Sequence, residues 1–457
     1  MYLLLLAQAE RGLGNGRQAI AHLLQARELG DMGHPLIYQR VLLTLQDIYW
    51  DHGHYLKAFK VKQDRLEVEK AAGIRAFVGA GRLGRDRRIT ETSDEIPLEI
   101  RASGRQQDLE ALLQRIGRND YKLIVLHGLS GVGKSSLVNA GLIPRLKKKP
   151  IGFRDNLVVL QRQYQDWHPN LALAFTESLR RFAHRVNPDN PTAPLPPIPP
   201  DRLIEELQQT EDRFLRVILI FDQFEEFFFA NPDPLERRRF FEFVGTCLQI
   251  PFVKVVLSLR EDYIHYLLEC ARLSSIQETG IDVLSREVRY SLGNLTPANT
   301  RAVIHDLTEN SRYSLEPALI DALVVDLAGE LQEVRPIEMQ IVGAQLQTEG
   351  IKTLAAYRDR GENPKQELVK GYLAEVVHDC GETLQPIAEL ILYLLTDERG
   401  TRPLKTRSQL LQEIQTLGVV LESEVPSSPN PFSPGRRGEE LETPPSPSRV
   451  DLLAVEK

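Results

Sequence analysis

The sequence predicts an α/β domain, with helices on both faces of a parallel sheet, set between helical segments on either side. Three observations predict it. Apolar, β-rich runs recur at YKLIVLH (121–127), NLVVLQR (156–162), RVILIF (216–221) and VKVVLSL (253–259), with a weaker one at VRYSL (288–292). Such unbroken runs suit parallel strands buried on both faces. Helical spacing alternates with them from 98 to 295 and stands alone outside that range.

Composition bounds the rest. A chain of 457 residues allows about three domains. Its hydrophobic share of 42% and charged share of 26% are those of a globular protein with real cores. The net charge of −7 gives no general attraction to nucleic acid. Cys247, Cys270 and Cys380 lie far apart, so neither a disulfide framework nor a zinc site is expected, and a reducing compartment fits. The opening MYLLLLA lacks a basic lead and is too short for a signal peptide. No apolar run reaches the ~18 residues of a membrane span. The expectation is a soluble, cytoplasmic protein.

Residues 1–80 read as helices. In GRQAIAHLLQA (16–26), Ala19, Ile20, Leu23, Leu24 and Ala26 follow helical spacing. The pattern returns in HYLKAFKVKQDRL (54–66), where Ala58 stands 39 residues after Ala19. Each follows a glycine turn, at Gly16 or Gly53, and an apolar helix, 3–9 or 41–49. Helix–turn–helix units recurring at about 34 to 40 residues mark repeat arrays. LQDIYWDHGHYLKAF resembles a tetratricopeptide repeat at Leu45, Tyr49, Gly53, Tyr55 and Ala58. A plain helical hairpin packed on the next domain is the alternative. Arrays usually need about three units, so the chain is expected to be the end of a longer protein.

Residues 81–97 are polar and read as a linker. Residues 98–295 form the α/β domain, and 188–200, with seven prolines in thirteen positions, is a loop within it. Helical patterns return over 296–380 and continue to 422. The Pro- and Ser-rich stretch 424–457 cannot bury enough apolar area to offset ordering entropy and is expected to be disordered.

Chemistry concentrates in HGLSGVGKSS (127–136). Gly128, Gly133, Lys134 and Ser135 fit G-x-x-x-x-G-K-[ST], with a strand before and an apolar-periodic helix after. Glycines let the backbone N–H groups wrap a phosphate, and the helix N-terminus adds its positive end. The loop residues Gly128, Ser130, Gly131, Val132, Gly133, Lys134, Ser135 and Ser136 are the candidate nucleotide cradle. Lys134 reaches the β- and γ-phosphates, and Ser135 ligates Mg²⁺.

VILIFDQFEEFFFA (217–230) supplies the acids. Asp222 ends a buried strand 88 residues after Lys134. A carboxylate there is costly unless a cation or donors compensate, which makes it the second Mg²⁺ ligand. Hydrolysis needs a group that orients or deprotonates water. Gln223 holds the position next to Asp222, so Glu225 or Glu226 is the candidate, with Glu225 the nearer. A helix start whose acids answer the dipole is the alternative. Phe227, Phe228 and Phe229 read as core. Arg260 ends the strand VVLSLR, either as a γ-phosphate sensor or in an ion pair with Glu261 or Asp262.

These motifs resemble the STAND class, the signal-transduction ATPases with numerous domains, in the AAA-like branch of P-loop proteins. ILIFDQFEE is similar to the metal strand of a novel bacterial STAND group, and VLSLREDY (256–263) to its sensor strand. The resemblance implies that Arg105, in ASGRQQDLEALL (102–113), lies near the base. It implies that Pro336, in RPIEMQIVGAQLQ (335–347), packs on adenine, and that 381–423 is a winged helix. It gives a P-loop NTPase α/β domain flanked by N-terminal helical repeats and a C-terminal helical and winged-helix region.

The implied function is a slow ATPase that switches conformation and oligomeric state between ADP and ATP, with Mg²⁺. Protein partners would bind through the N-terminal helices, and copies of the chain would self-associate without nucleic acid or membrane. A remodelling ATPase with steady turnover and a scaffold with a dead site are the alternatives. A GTPase lacks its N-K-x-D motif here. The long sensor array usual after the winged helix is replaced by the Pro-rich tail.

Overall fold

The computed structural model describes residues 1–31, 34–77, 79, 105–186, 196–309, 311–396, 405 and 407–417, with the backbone of 421–422 and 450–451. The expected linker at 81–97, most of the proline-rich loop and nearly all of the 424–457 tail lie outside these residues.

Four helices open the chain: α1 (Tyr2–Gly12), α2 (Gly16–Glu28), α3 (Pro35–Asp51) and α4 (Tyr55–Ala71). They pack in sequence as two hairpins around a core of Leu4, Ala7, Leu23, Leu42 and Leu45. Ala19 and Ala58 are both buried at the crossings, so the 39-residue offset in the sequence is an offset between like positions. Gly53 turns α3 into α4 with φ +71°, a left-handed conformation that glycine adopts without strain.

The central domain begins with α5 (Arg105–Gly117) and carries β1 (Leu123–Gly128), β2 (Asp155–Gln161), β3 (Leu215–Asp222), β4 (Val253–Arg260) and β5 (Arg289–Ser291). All five are parallel, in the order β2-β3-β4-β1-β5. The phosphate-loop helix α6 starts as Lys134–Ser136, runs through a π-helical stretch, Leu137–Leu142, and ends as Ile143–Lys148. With α5 it covers one face, over Ile124, Leu126, Ile218, Ile220 and Val256. The other face, with Val125, Leu219, Phe221 and Leu257, is covered by α7 (Trp167–Val186), α8 (Glu225–Ala230) and α9 (Pro234–Gln249). Alternate strand residues go to opposite cores, which is why both registers of these strands are apolar.

A helical unit follows: α10 (Pro297–Glu309), α11 (Pro317–Ala328), α12 (Pro336–Glu349) and α13 (Pro364–His378), then α14 (Gln385–Leu394) and α15 (Arg407–Thr416). Its core also takes in Ala76 and Phe77 from the end of the first unit. In the 381–423 segment the described elements are α14, α15 and a two-residue parallel pairing of 421–422 with 450–451. No helix among the described residues is long and apolar enough to cross a membrane.

Candidate nucleotide site

The sheet order creates the site. β4 lies between β1 and β3, so the phosphate loop after β1 and the acid ending β3 meet at the C-terminal edge of the sheet, one strand apart. The registers align Gly128 with Arg260, and Asp222 with Ser258. Open parallel sheets place their ligands at this edge.

The loop is built on glycine geometry. Gly131 and Gly133 have φ of +82° and +95°, left-handed values that other residues adopt only with strain. Gly128 is required for another reason. A Cβ there would stand 2.3 Å from the Leu292 carbonyl oxygen, inside any permitted contact. Ser130 is exposed at the loop's tip, Val132 is buried beneath it, and Ser136 follows in the first helical turn.

Lys134 is buried, and its Nζ donates to the carbonyls of Gly128 (2.8 Å) and Leu129 (2.9 Å). Burial lowers its pKa, and the nearby Glu225 carboxylate opposes that shift. The ammonium is thereby held inside the loop's curve, where a phosphate chain would meet it.

Asp222 is fully buried and fully partnered. Ser135 and Ser258 each donate a hydroxyl to Oδ1 at 3.0 Å. Arg162 donates to Oδ2 through Nε (3.1 Å) and Nη2 (2.9 Å). Tyr164 donates its hydroxyl to the Asp222 backbone carbonyl at 2.7 Å. The carboxylate and the Ser135 hydroxyl are hard oxygen donors side by side, the type that Mg²⁺ takes alongside phosphate and water.

The chain turns sharply after Asp222. Gln223 has φ +56°, strained for a non-glycine residue, and Phe224 N donates to the Ser258 carbonyl at 2.8 Å. The turn brings Glu225 back into the site, buried, with Oε2 accepting the Arg260 backbone N–H at 3.2 Å. Desolvation raises the Glu225 pKa. Glu226 faces outward instead, into a groove shared with Arg162 and Tyr164. The following phenylalanines are the wedge that fixes α8. Phe227 stacks on Phe224 at 5.1 Å and packs on Phe240, Phe228 stacks on Tyr266, and Phe229 meets Tyr263 edge-on.

Arg260 forms the ion pair with Asp262 and lies over the Tyr263 ring. Its Nε is buried without a hydrogen-bond partner, a donor at the site that no described protein group satisfies. Arg105 spans the site's rim. Its Nη2 donates to the carbonyls of Val132 (3.0 Å) and Gly293 (2.6 Å), and Nη1 pairs with Asp108. Pro336 opens α12, and its neighbour Ile337 lies against the loop: a Cβ on Gly131 would stand 2.5 Å from Ile337 Cγ2.

The structure therefore brings Lys134, Ser135, Asp222, Glu225 and Arg260 together, with Arg105 and α12 at the rim. Arg162, Tyr164 and Ser258 belong to the site and were missed in the sequence. Each becomes visible only when β2 and β4 are known to flank β3.

The family profile described as Novel STAND NTPase 1 matches residues 102–423. The chain belongs to the novel STAND NTPases. No curated protein sequence matches it. Among solved structures it is similar to the ORC2 protein of Aeropyrum pernix (ADPNP–ADP complexes), at 14% identity and a TM-score of 0.40, over 73% of this chain and 90% of that one. It is also similar to the Walker-type ATPase PABY2304 of Pyrococcus abyssi, at 13% identity and a TM-score of 0.41, over 73% and 93%. A third is the A. pernix ORC1 protein in complex with DNA, at 15% identity and a TM-score of 0.40, over 73% and 82%. These likenesses are too distant to bear on function. The assignment to the STAND NTPases rests on the family match, which spans the whole site described above.

Proposed function

We propose that this STAND NTPase binds ATP and ADP with Mg²⁺, hydrolyses ATP slowly, and uses the exchange to switch conformation and self-association. One observation carries the switch. Helix α12 touches the phosphate loop through Ile337 at its start and holds the first helical unit further along. A Cβ on Gly343 would stand 2.3 Å from the Phe77 ring. Gln347 Oε1 accepts from Ala76 N at 3.0 Å, and its Nε2 donates to the Ile74 carbonyl. Phosphate loop, lid helix and N-terminal helices thus form one chain of contacts.

Within this reading Lys134 and the loop N–H groups hold the phosphates, and Ser135 and Asp222 hold Mg²⁺. When bound, Mg²⁺ would neutralise charge on the β- and γ-phosphates. Glu225 orients the attacking water and accepts its proton, which its raised pKa suits. The unpartnered Nε of Arg260 takes a γ-phosphate oxygen. Arg105 and Pro336 close over the base. Partners bind the N-terminal helices in the cytoplasm.

Reversing a switch from about 1:99 to 99:1 needs roughly 5.5 kcal/mol of differential affinity between the two nucleotides' states. Light scattering of protein loaded with ADP, and then with a non-hydrolysable ATP analogue, tests this. A shift to larger species with the analogue is expected, and identical size distributions would refute the switch. Turnover well above about 1 s⁻¹ would instead favour a working remodeller.

A further inference from the structure

The pairing of Arg162 with Asp222 has an unusual form. Arginine and carboxylate commonly meet fork to fork, with two parallel bonds to two oxygens. Here both N–H contacts converge on Oδ2, while Oδ1 keeps the hydroxyls of Ser135 and Ser258. The guanidinium thus supplies the full positive charge that this fully buried carboxylate faces, from the side of β2, without blocking the oxygen that faces the phosphate loop. A buried carboxylate needs such a counter-charge. A divalent cation bound beside Ser135 would supply the same charge, so the two cations are alternatives for one acid.

Arg162 also has somewhere to go. It lies at the end of β2 with its side chain one-third exposed, at the mouth of a groove of about 680 Å³. Tyr164, Asp166, Asn170, Glu226 and Phe229 line the same groove, so two further carboxylates face the space next to the guanidinium. Arginine stays protonated at any working pH, so it leaves Asp222 only by exchanging one anion for another.

We propose that Arg162 is a positioning residue that competes with the divalent cation for Asp222, yielding Oδ2 and turning to Glu226 when the cation binds. Arg162 thereby sets how strongly nucleotide binding depends on Mg²⁺, and it carries the occupancy of the site to the groove on the domain surface. The inference rests on the nucleotide-binding reading above and adds a residue to it.

The test is the affinity for a fluorescent ADP, read by anisotropy across a series of free Mg²⁺ concentrations, in the full chain and in Arg162→Gln and Glu226→Gln variants. A charge-assisted hydrogen bond contributes enough that its loss shifts the Mg²⁺ midpoint at least about tenfold. Arg162→Gln is expected to lower the midpoint by that factor, because the competitor is gone. Glu226→Gln is expected to raise it, because the withdrawn position is weakened. A midpoint in Arg162→Gln that stays put or rises overturns the proposal. If that variant does not fold, Arg162→Lys keeps the charge but not the Nε–Nη2 edge. Its midpoint is expected between the other two, and a wild-type midpoint overturns the proposal. Should the wild-type chain bind no ADP at any Mg²⁺ level, the nucleotide reading falls by itself. Thermal melting with Mg²⁺ alone then decides for Arg162: a larger gain in Arg162→Gln than in the wild type supports competition, and an equal gain refutes it.

Discussion

Glu225 is buried beside a lysine and an arginine backbone N–H, and desolvation raises its pKa. A carboxyl whose folded pKa lies above its unfolded value opposes folding at neutral pH. That penalty fades as the pH falls through the folded value towards the unfolded one. Glu225→Gln is therefore expected to melt higher than the wild type at neutral pH, with the gap closing on acidification. A gap that does not change with pH would show that burial of charge is not its cause. Single-turnover hydrolysis should fall by roughly 10² to 10⁴ in the same variant, as loss of a general base does, and by less in Glu226→Gln. If Glu226→Gln is the slower of the two, the two glutamates exchange roles. Lys134 and Ser135 were legible in the sequence because the loop motif is local. Arg162 was not, because it lies 60 residues from Asp222 and only the parallel alignment of Gln161 with Phe221 puts it alongside.

Helix α12 links two packed contacts. Gly343 accommodates the Phe77 ring where no side chain fits, and Ile337 fills the hollow over Gly131. Gly343→Ala is expected to destabilise the chain by roughly 1–3 kcal/mol, the usual effect of overpacking. In a Phe77→Ala background the same substitution should have a much smaller effect, because residues in contact do not act additively. Equal effects in both backgrounds, measured by denaturant unfolding, would show that the two side chains are not coupled. The strands were legible within a residue or two, because a buried parallel strand leaves an unbroken apolar run. The role of Gly343 was hidden, because its partner comes from another unit 266 positions earlier in the chain.

Across the whole molecule the first helical unit is clamped to the lid by polar contacts as well as by Phe77. Lys62 is buried with its Nζ donating to Glu375 (2.7 Å) and Asp379 (2.6 Å), and Trp50 stacks on His378 at 4.4 Å. Lys62→Ala would leave two facing carboxylates without their cation, a loss of about 3–5 kcal/mol when such a pair is fully buried and less here, where Glu375 is partly exposed. Small-angle scattering should then show a larger radius of gyration, with the first unit released. An unchanged radius would mean that the Phe77 contact suffices. The helical hairpins of this unit were readable from spacing. Their seat on α12 and α13 was not, since nothing in a local pattern names a partner more than 300 residues away.

The central claim is that this STAND NTPase holds a nucleotide on Lys134 and Asp222. It is tested most directly by denaturing freshly purified protein, releasing whatever it carries, and identifying it by chromatography, with Lys134→Ala alongside. Roughly stoichiometric ADP from the wild type, lost in the variant, is the result this account predicts. A wild-type chain that carries no nucleotide and binds none when ATP and Mg²⁺ are supplied would contradict it.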